Sequence, residues 1–83
     1  MSFTKIILHG DLQFLFGREF RKALRTASEA VTAIDSCKDG FITLLKQRAA
    51  EGTHYHIIGD GQLIKGEEVF AKKEYEEVHI MPA

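Results

Sequence analysis

The two most apolar strand candidates of this 83-residue chain lie at its opposite ends. Phe3 to Leu8 is too short for a helix and rich in Ile. Glu76 to Met81 alternates, with Val78 and Ile80 on one side and His79 and Met81 on the other, and Pro82 stops it. Strands this apolar suit the centre of a sheet. The middle of the chain holds the other elements. Glu19 to Leu24 alternates with Phe20 and Leu24 inward and Glu19 and Arg21 outward, although Lys22 breaks the pattern. Thr26 and Glu29 form a Thr-x-x-Glu capping box, which predicts a helix start. Behind it Ala27, Ala30, Val31, Ile34 and Cys37 recur at helical spacing as one apolar stripe. Asp39-Gly40 interrupts, and Phe41, Leu44, Leu45 and Ala49 resume the spacing, so a break near Gly40 and an end at Gly52 are expected. Tyr55 and Ile57 alternate with His54 and His56 in a third strand that ends at Gly59-Asp60-Gly61. Gln62 to Ile64 reads as a brief fourth strand before a Lys65-Gly66 turn.

This order, two strands, a helical crossover and two or three strands, is the ββαββ pattern of the β-grasp, an α+β fold with a mixed sheet. That fold sets its first and last strands side by side and parallel at the sheet centre, the place that the two apolar ends suit. One domain over residues 1–83 is expected, near the lower size limit for an unstapled core. A 45% hydrophobic content suffices for one thin core. Net charge is −1, which leaves no whole-molecule field for nucleic acid. The single Cys37 excludes an internal disulfide and a four-thiolate cluster, and suits a reducing cytoplasm. No signal peptide is visible, and no apolar run approaches the ~20 residues of a membrane span.

The connection from Leu8 to Gly17 is unusual. Gly10, Asp11 and Gly17 supply turn chemistry, which predicts the first hairpin connection. Yet Phe14, Leu15 and Phe16 sit inside it, where a plain hairpin carries polar residues. They either fold back onto the core or meet a partner.

Strand alternation makes a second prediction. If Ile6 and Leu8 face the helix, then Ile7 and His9 face away, as do His54, His56, His79 and Met81. Three readings of the four histidines stay open. They line a solvated sheet face. Alternatively His9, His54, His56 and His79 include ligands for a metal such as zinc, since a His-x-His pair projects both rings to one side. Or they join Ile7, Ile58 and Met81 in a partner surface. Partner-binding candidates are therefore Ile7, His9, Phe14, Phe16, His56, Ile58, His79 and Met81. No cofactor is expected.

The remaining features read plainly. Arg18, Arg21, Lys22 and Arg25 suit a charged edge strand that resists pairing. Gly59-Asp60-Gly61 is a turn, because no helix start with Lys-Ser/Thr follows it as in a phosphate loop. Glu67, Glu68, Glu74, Glu76 and Glu77, with Lys72 and Lys73, form a solvated stretch. Cys37, on the apolar stripe, is expected to be a buried and inert thiol. No nucleophile, base and oxyanion set can be assembled, so an enzyme is not expected.

Four fragments carry a family resemblance. Leu8-His9-Gly10-Asp11-Leu12-Gln13 is followed shortly by Phe16-Gly17. Arg25-Thr26-Ala27-Ser28-Glu29-Ala30, Ile57-Ile58-Gly59 and Val78-His79-Ile80-Met81-Pro82 come after it in order. Together they resemble the tail assembly protein I family of lambda-type bacteriophages over nearly the whole chain. The resemblance implies a ubiquitin-like N-terminal domain of a longer protein, whose Gly/Ala-rich C-terminal region is missing here. It also implies a non-enzymatic role in building a siphophage tail tip in the host cytoplasm. The implied partners are tail-tip proteins, including the central tail fibre protein, with no nucleic acid and no membrane for this domain. In such phages a neighbouring tail protein resembles a JAB-type isopeptidase, which leaves open that the domain is its ubiquitin-like substrate. A sulfur carrier is a lesser alternative, since the chain ends Met81-Pro82-Ala83 and not Gly-Gly.

Overall fold

The computed structural model describes residues 2–83. Its strands are β1 (Thr4–Leu8), β2 (Glu19–Lys22), β3 (Tyr55–Gly59), β4 (Gln62–Ile64) and β5 (Glu77–Pro82). Three helices, α1 (Asp11–Phe16), α2 (Glu29–Cys37) and α3 (Phe41–Ala50), and a 3-10 turn at Gly66–Phe70 complete the described elements. The strands form one sheet in the order β2-β1-β5-β3-β4. β1 and β5 pair in parallel, with Ile6 opposite Val78 and Leu8 opposite Ile80, and the other pairs are antiparallel. The two terminal apolar strands thus meet inside the sheet, in a β-grasp-like α+β fold.

Alternation sends Ile6, Leu8, Val78 and Ile80 to one face, where they are buried against Ala30, Ile34 and Phe41. Thr4 shares that face, and its Oγ1 donates to the Tyr75 carbonyl at 2.7 Å, so its one polar group is satisfied. Tyr75 is itself core and packs over Gly59, where an added Cβ would lie 2.5 Å from the ring. The β3–β4 hairpin turns on Asp60 and Gly61, whose φ values of 47° and 83° meet the positive-φ demand of a two-residue turn.

The crossover breaks where expected. Gly40 at φ 87° separates α2 from α3, a conformation that a residue with a Cβ rarely takes. Asp35 Oδ1 then accepts the Ile42 N–H at 2.9 Å, so a side chain of the first helix satisfies a free donor of the second. α3 closes at Gly52, with Thr53 N–H on Arg48 O and Gly52 N–H on Ala49 O.

Several expectations fail locally. The capping box does not close: Glu29 Oε1 accepts the Arg25 N–H at 2.5 Å, while the Thr26 hydroxyl bonds Ser28 Oγ at 3.0 Å. A tight turn precedes α2, and the N–H groups of Glu29 and Ala30 already bond Thr26 O and Ala27 O. Cys37 is exposed, not buried, because α2 ends there and the chain leaves the core; its thiol reaches only Ile34 O, at 3.4 Å.

The Leu8–Gly17 connection is not a plain hairpin. Asp11 to Phe16 winds into a short helix, which puts Leu12 and Phe16 four residues apart on one side. Leu12 is fully buried, and Phe16 meets Phe41 edge-on at 5.1 Å. Phe14 is left 92% exposed and Leu15 56%. Of the two rings named as partner candidates, Phe16 belongs to the fold and only Phe14 is free. The helix is tied to α3 by an Asp11–Arg48 ion pair. No described helix is long and apolar enough to cross a membrane.

Candidate functional site

The sheet face away from the helices is built by the alternate residues of the same strands. Ile7 on β1 opposes His79 on β5, His79 opposes Ile58 on β3, and Ile58 opposes Leu63 on β4. One row thus crosses four strands with three aliphatic side chains and one imidazole. His56 opposes Met81 in the next row. Ile7, flanked by Glu19 and His79 in mid-sheet, is buried at 6% exposure, whereas Leu63 near the edge is 40% exposed.

Parallel pairing of β1 and β5 brings His9 to His79, 70 residues apart in sequence. Their rings lie end to end, with centroids 5.0 Å apart and planes inclined by only 22°. His9 Nε2 lies 2.7 Å from His79 Nδ1, and His79 Nε2 lies 2.7 Å from Glu77 Oε1. One proton assignment satisfies all three groups. His79 donates through Nε2–H to the Glu77 carboxylate, and its bare Nδ1 accepts the His9 Nε2–H. Burial holds His9 below the ordinary imidazole value of 6.5, and the nearby His79 and Arg18 push it the same way.

Beside His79 the face dips into a hollow of about 570 Å³. Ile58 and Met81 give it apolar walls, and Asp60, Glu76 and Glu77 line its other side. The Asp60 carboxylate accepts the N–H groups of Glu76 at 3.1 Å and Glu77 at 3.0 Å. Asp60 N–H in turn donates to the Glu77 carbonyl at 2.9 Å. The β3–β4 turn is thereby clamped to the start of β5. Among the described residues no Lys or Arg forms an ion pair with any of these three carboxylates.

The other candidates scatter. His56 is exposed on the open face beside Met81. His54 precedes β3 and is exposed, its carbonyl accepting the Ala83 N–H. Of the four histidines, only His9 and His79 are bonded to one another. Among the described residues no three His, Cys, Asp or Glu side chains converge as a metal site. Phe14 stands off the face, at the end where β1 finishes. β2 is an edge strand on which Glu19 lies 3.6 Å from Lys5 and 3.9 Å from Arg21; past the strand, Arg25 lies 3.7 Å from Glu29. The sequence reading missed Glu77 and Asp60, placed in a solvated stretch and a turn. Asp60 lies in the β3–β4 turn, 16 and 17 residues from the N–H groups it holds, so no local sequence signal marks that clamp. No protein-family model, curated protein or solved structure matches the chain.

Proposed function

We propose that this domain is a non-enzymatic binding module that acts in building a phage tail tip. Its open sheet face takes the partner in the host cytoplasm. The row Ile7, His79, Ile58 and Leu63, with Met81 beside it, supports this reading most directly. A sheet face on which Leu63 is exposed and Ile58 and Met81 are half-buried presents apolar contact area without conformational cost. The four fragments that resemble the tail assembly protein I family supply the biological setting. That setting names the central tail fibre protein and neighbouring tip proteins as the partners to test.

Titration calorimetry with those tip proteins tests the reading. Ile58→Asp places a charge in the centre of the row and is expected to weaken binding at least ~10-fold. Phe14→Ser, off the face, is expected to leave it intact. Unchanged binding by Ile58→Asp defeats the proposal.

A further inference from the structure

Two ring nitrogens, His9 Nε2 and His79 Nδ1, face each other at 2.7 Å where β1 finishes beside β5. The ring centres are 5.0 Å apart, which is that contact with one ring radius at either end. Both nitrogens therefore lie close to the line joining the rings. One hydrogen fits between them, and two do not. Counting protons then gives the states of the pair. The neutral pair has two N–H groups, one shared between the rings and one given by His79 Nε2 to Glu77 Oε1 at 2.7 Å. A first added proton goes to His9 Nδ1, which takes no part in these bonds, and breaks nothing. A second has to enter the space where a hydrogen already lies, and the rings part.

Ile7 sits where this matters. It opposes His79 and precedes His9 by two residues on the same face, so the two rings flank it. It is 6% exposed, whereas Ile58, on the other side of His79, is only half-buried. The backbone here is fastened: His9 N–H donates to Ile80 O at 3.0 Å, and Gly10 packs against Pro82. The half-buried His9 ring, and not the strand, is the part free to move.

We infer that the His9–His79 pair is a proton-operated latch, closed with up to one added proton and opened by the second, which swings His9 off the sheet and uncovers Ile7. The surrounding charges agree with this order of events. Glu77 binds His79 on the side away from His9, so it keeps His79 in place when His9 leaves. Glu19 on β2 is engaged by Lys5 and Arg21, and Asp11 on α1 by Arg48, so neither is free to hold His9. Asp60 and Glu76 edge the hollow beyond Glu77, and His56 lies one row past His79, beside Met81. Burial, then His79, then Arg18 before β2 hold His9 below the ordinary imidazole value of 6.5, which puts opening in acidic solution. Acid thereby adds an aliphatic side chain to the exposed part of the open face. The latch works in the free domain and does not depend on the docking role.

NMR of the whole chain, following imidazole nitrogens and isoleucine methyl groups from about pH 8 to about pH 4, tests the latch. The pair is expected to take up its two protons in steps at least ~1 pH unit apart, a ~10-fold difference in proton affinity. The Ile7 methyls are expected to shift with the second step only, while Ile6, on the covered face, stays unmoved. Uptake without coupling, or an Ile7 response that accompanies the first step, overturns the inference. So does a joint response of Ile6 and Ile7, which means general unfolding. His9→Phe keeps a ring beside Ile7 but offers no nitrogen. In this variant the two-step uptake is expected to collapse to one step with Ile7 silent, and a persisting Ile7 shift overturns the latch. Calorimetry with tip proteins reports on docking separately, since its failure leaves these curves as they are.

Discussion

Ile6 and Ile7 are consecutive, identical in chemistry and opposite in fate. Ile6 points at α2 and α3 within the core, while Ile7 points at the open face among His79 and Glu19. Ile57 and Ile58 repeat the contrast on β3, with Ile57 against the core and Ile58 in the hollow's wall. Residue type therefore does not decide the side; register does. The contrast also shows what each face is for. The covered face spends its aliphatic side chains on stability. The open face buries Ile7 among its neighbours but leaves Ile58 and Met81 half-exposed and Leu63 exposed, among imidazoles and carboxylates.

The sharpest way to break that contrast is to place the same charge on both faces. Ile80→Asp buries a carboxylate with no partner and is expected to cost about 3–5 kcal/mol, enough to unfold most of a domain this small. Ile58→Asp, half-buried on the open face, is expected to cost less, about 1–2 kcal/mol. Urea unfolding followed by circular dichroism measures both, and equal losses would erase the distinction between the faces. Next in size is Thr4→Val, at about 1–3 kcal/mol, because the Tyr75 carbonyl loses its buried donor while the packed volume is kept. A loss near zero there would mean that water reaches the carbonyl.

The smallest effect concerns the open face alone. His9 has a lower proton affinity folded than unfolded, so the unfolded chain binds more protons below pH 6.5. Stability is then full above that pH and declines as pH falls through the window below it, down to the folded value. His9→Asn is expected to flatten this part of the pH–stability curve, while Thr4→Val shifts the curve without changing its slope.

Much of this arrangement was legible in the residues. The α+β class and the pairing of the first and last strands followed from the ββαββ element order read as a β-grasp, and the break from Asp39-Gly40. Alternation placed His9 and His79 on the open face, but their direct contact needed the register of the parallel β1–β5 pair and was not read from the residues. What escaped were features shorter than a period. Asp11 to Phe16 covers under two helical turns, too few to show periodicity, and its flanking glycines read as a hairpin. Cys37 fitted the apolar stripe of α2 but sits on the last residue, where the stripe no longer faces anything. The hollow escaped because its residues come from the ends of β3 and β5, which adjoin only after the sheet forms. The docking role rests on the resemblance and the open face, and calorimetry will decide it.

The side-by-side placement of β1 and β5 has a consequence for how the molecule comes into being. During synthesis β1, β2 and the helices leave the ribosome well before residues 77–82. Until those residues arrive, β1 has no neighbour on one edge, and Ile6 and Leu8 face only part of their core. Closing this strand pair requires a loop of about 70 residues, so the decisive contact has high contact order and comes late. The nascent chain is thus exposed to mispairing along the edge of β1, and release of its last strand completes the domain.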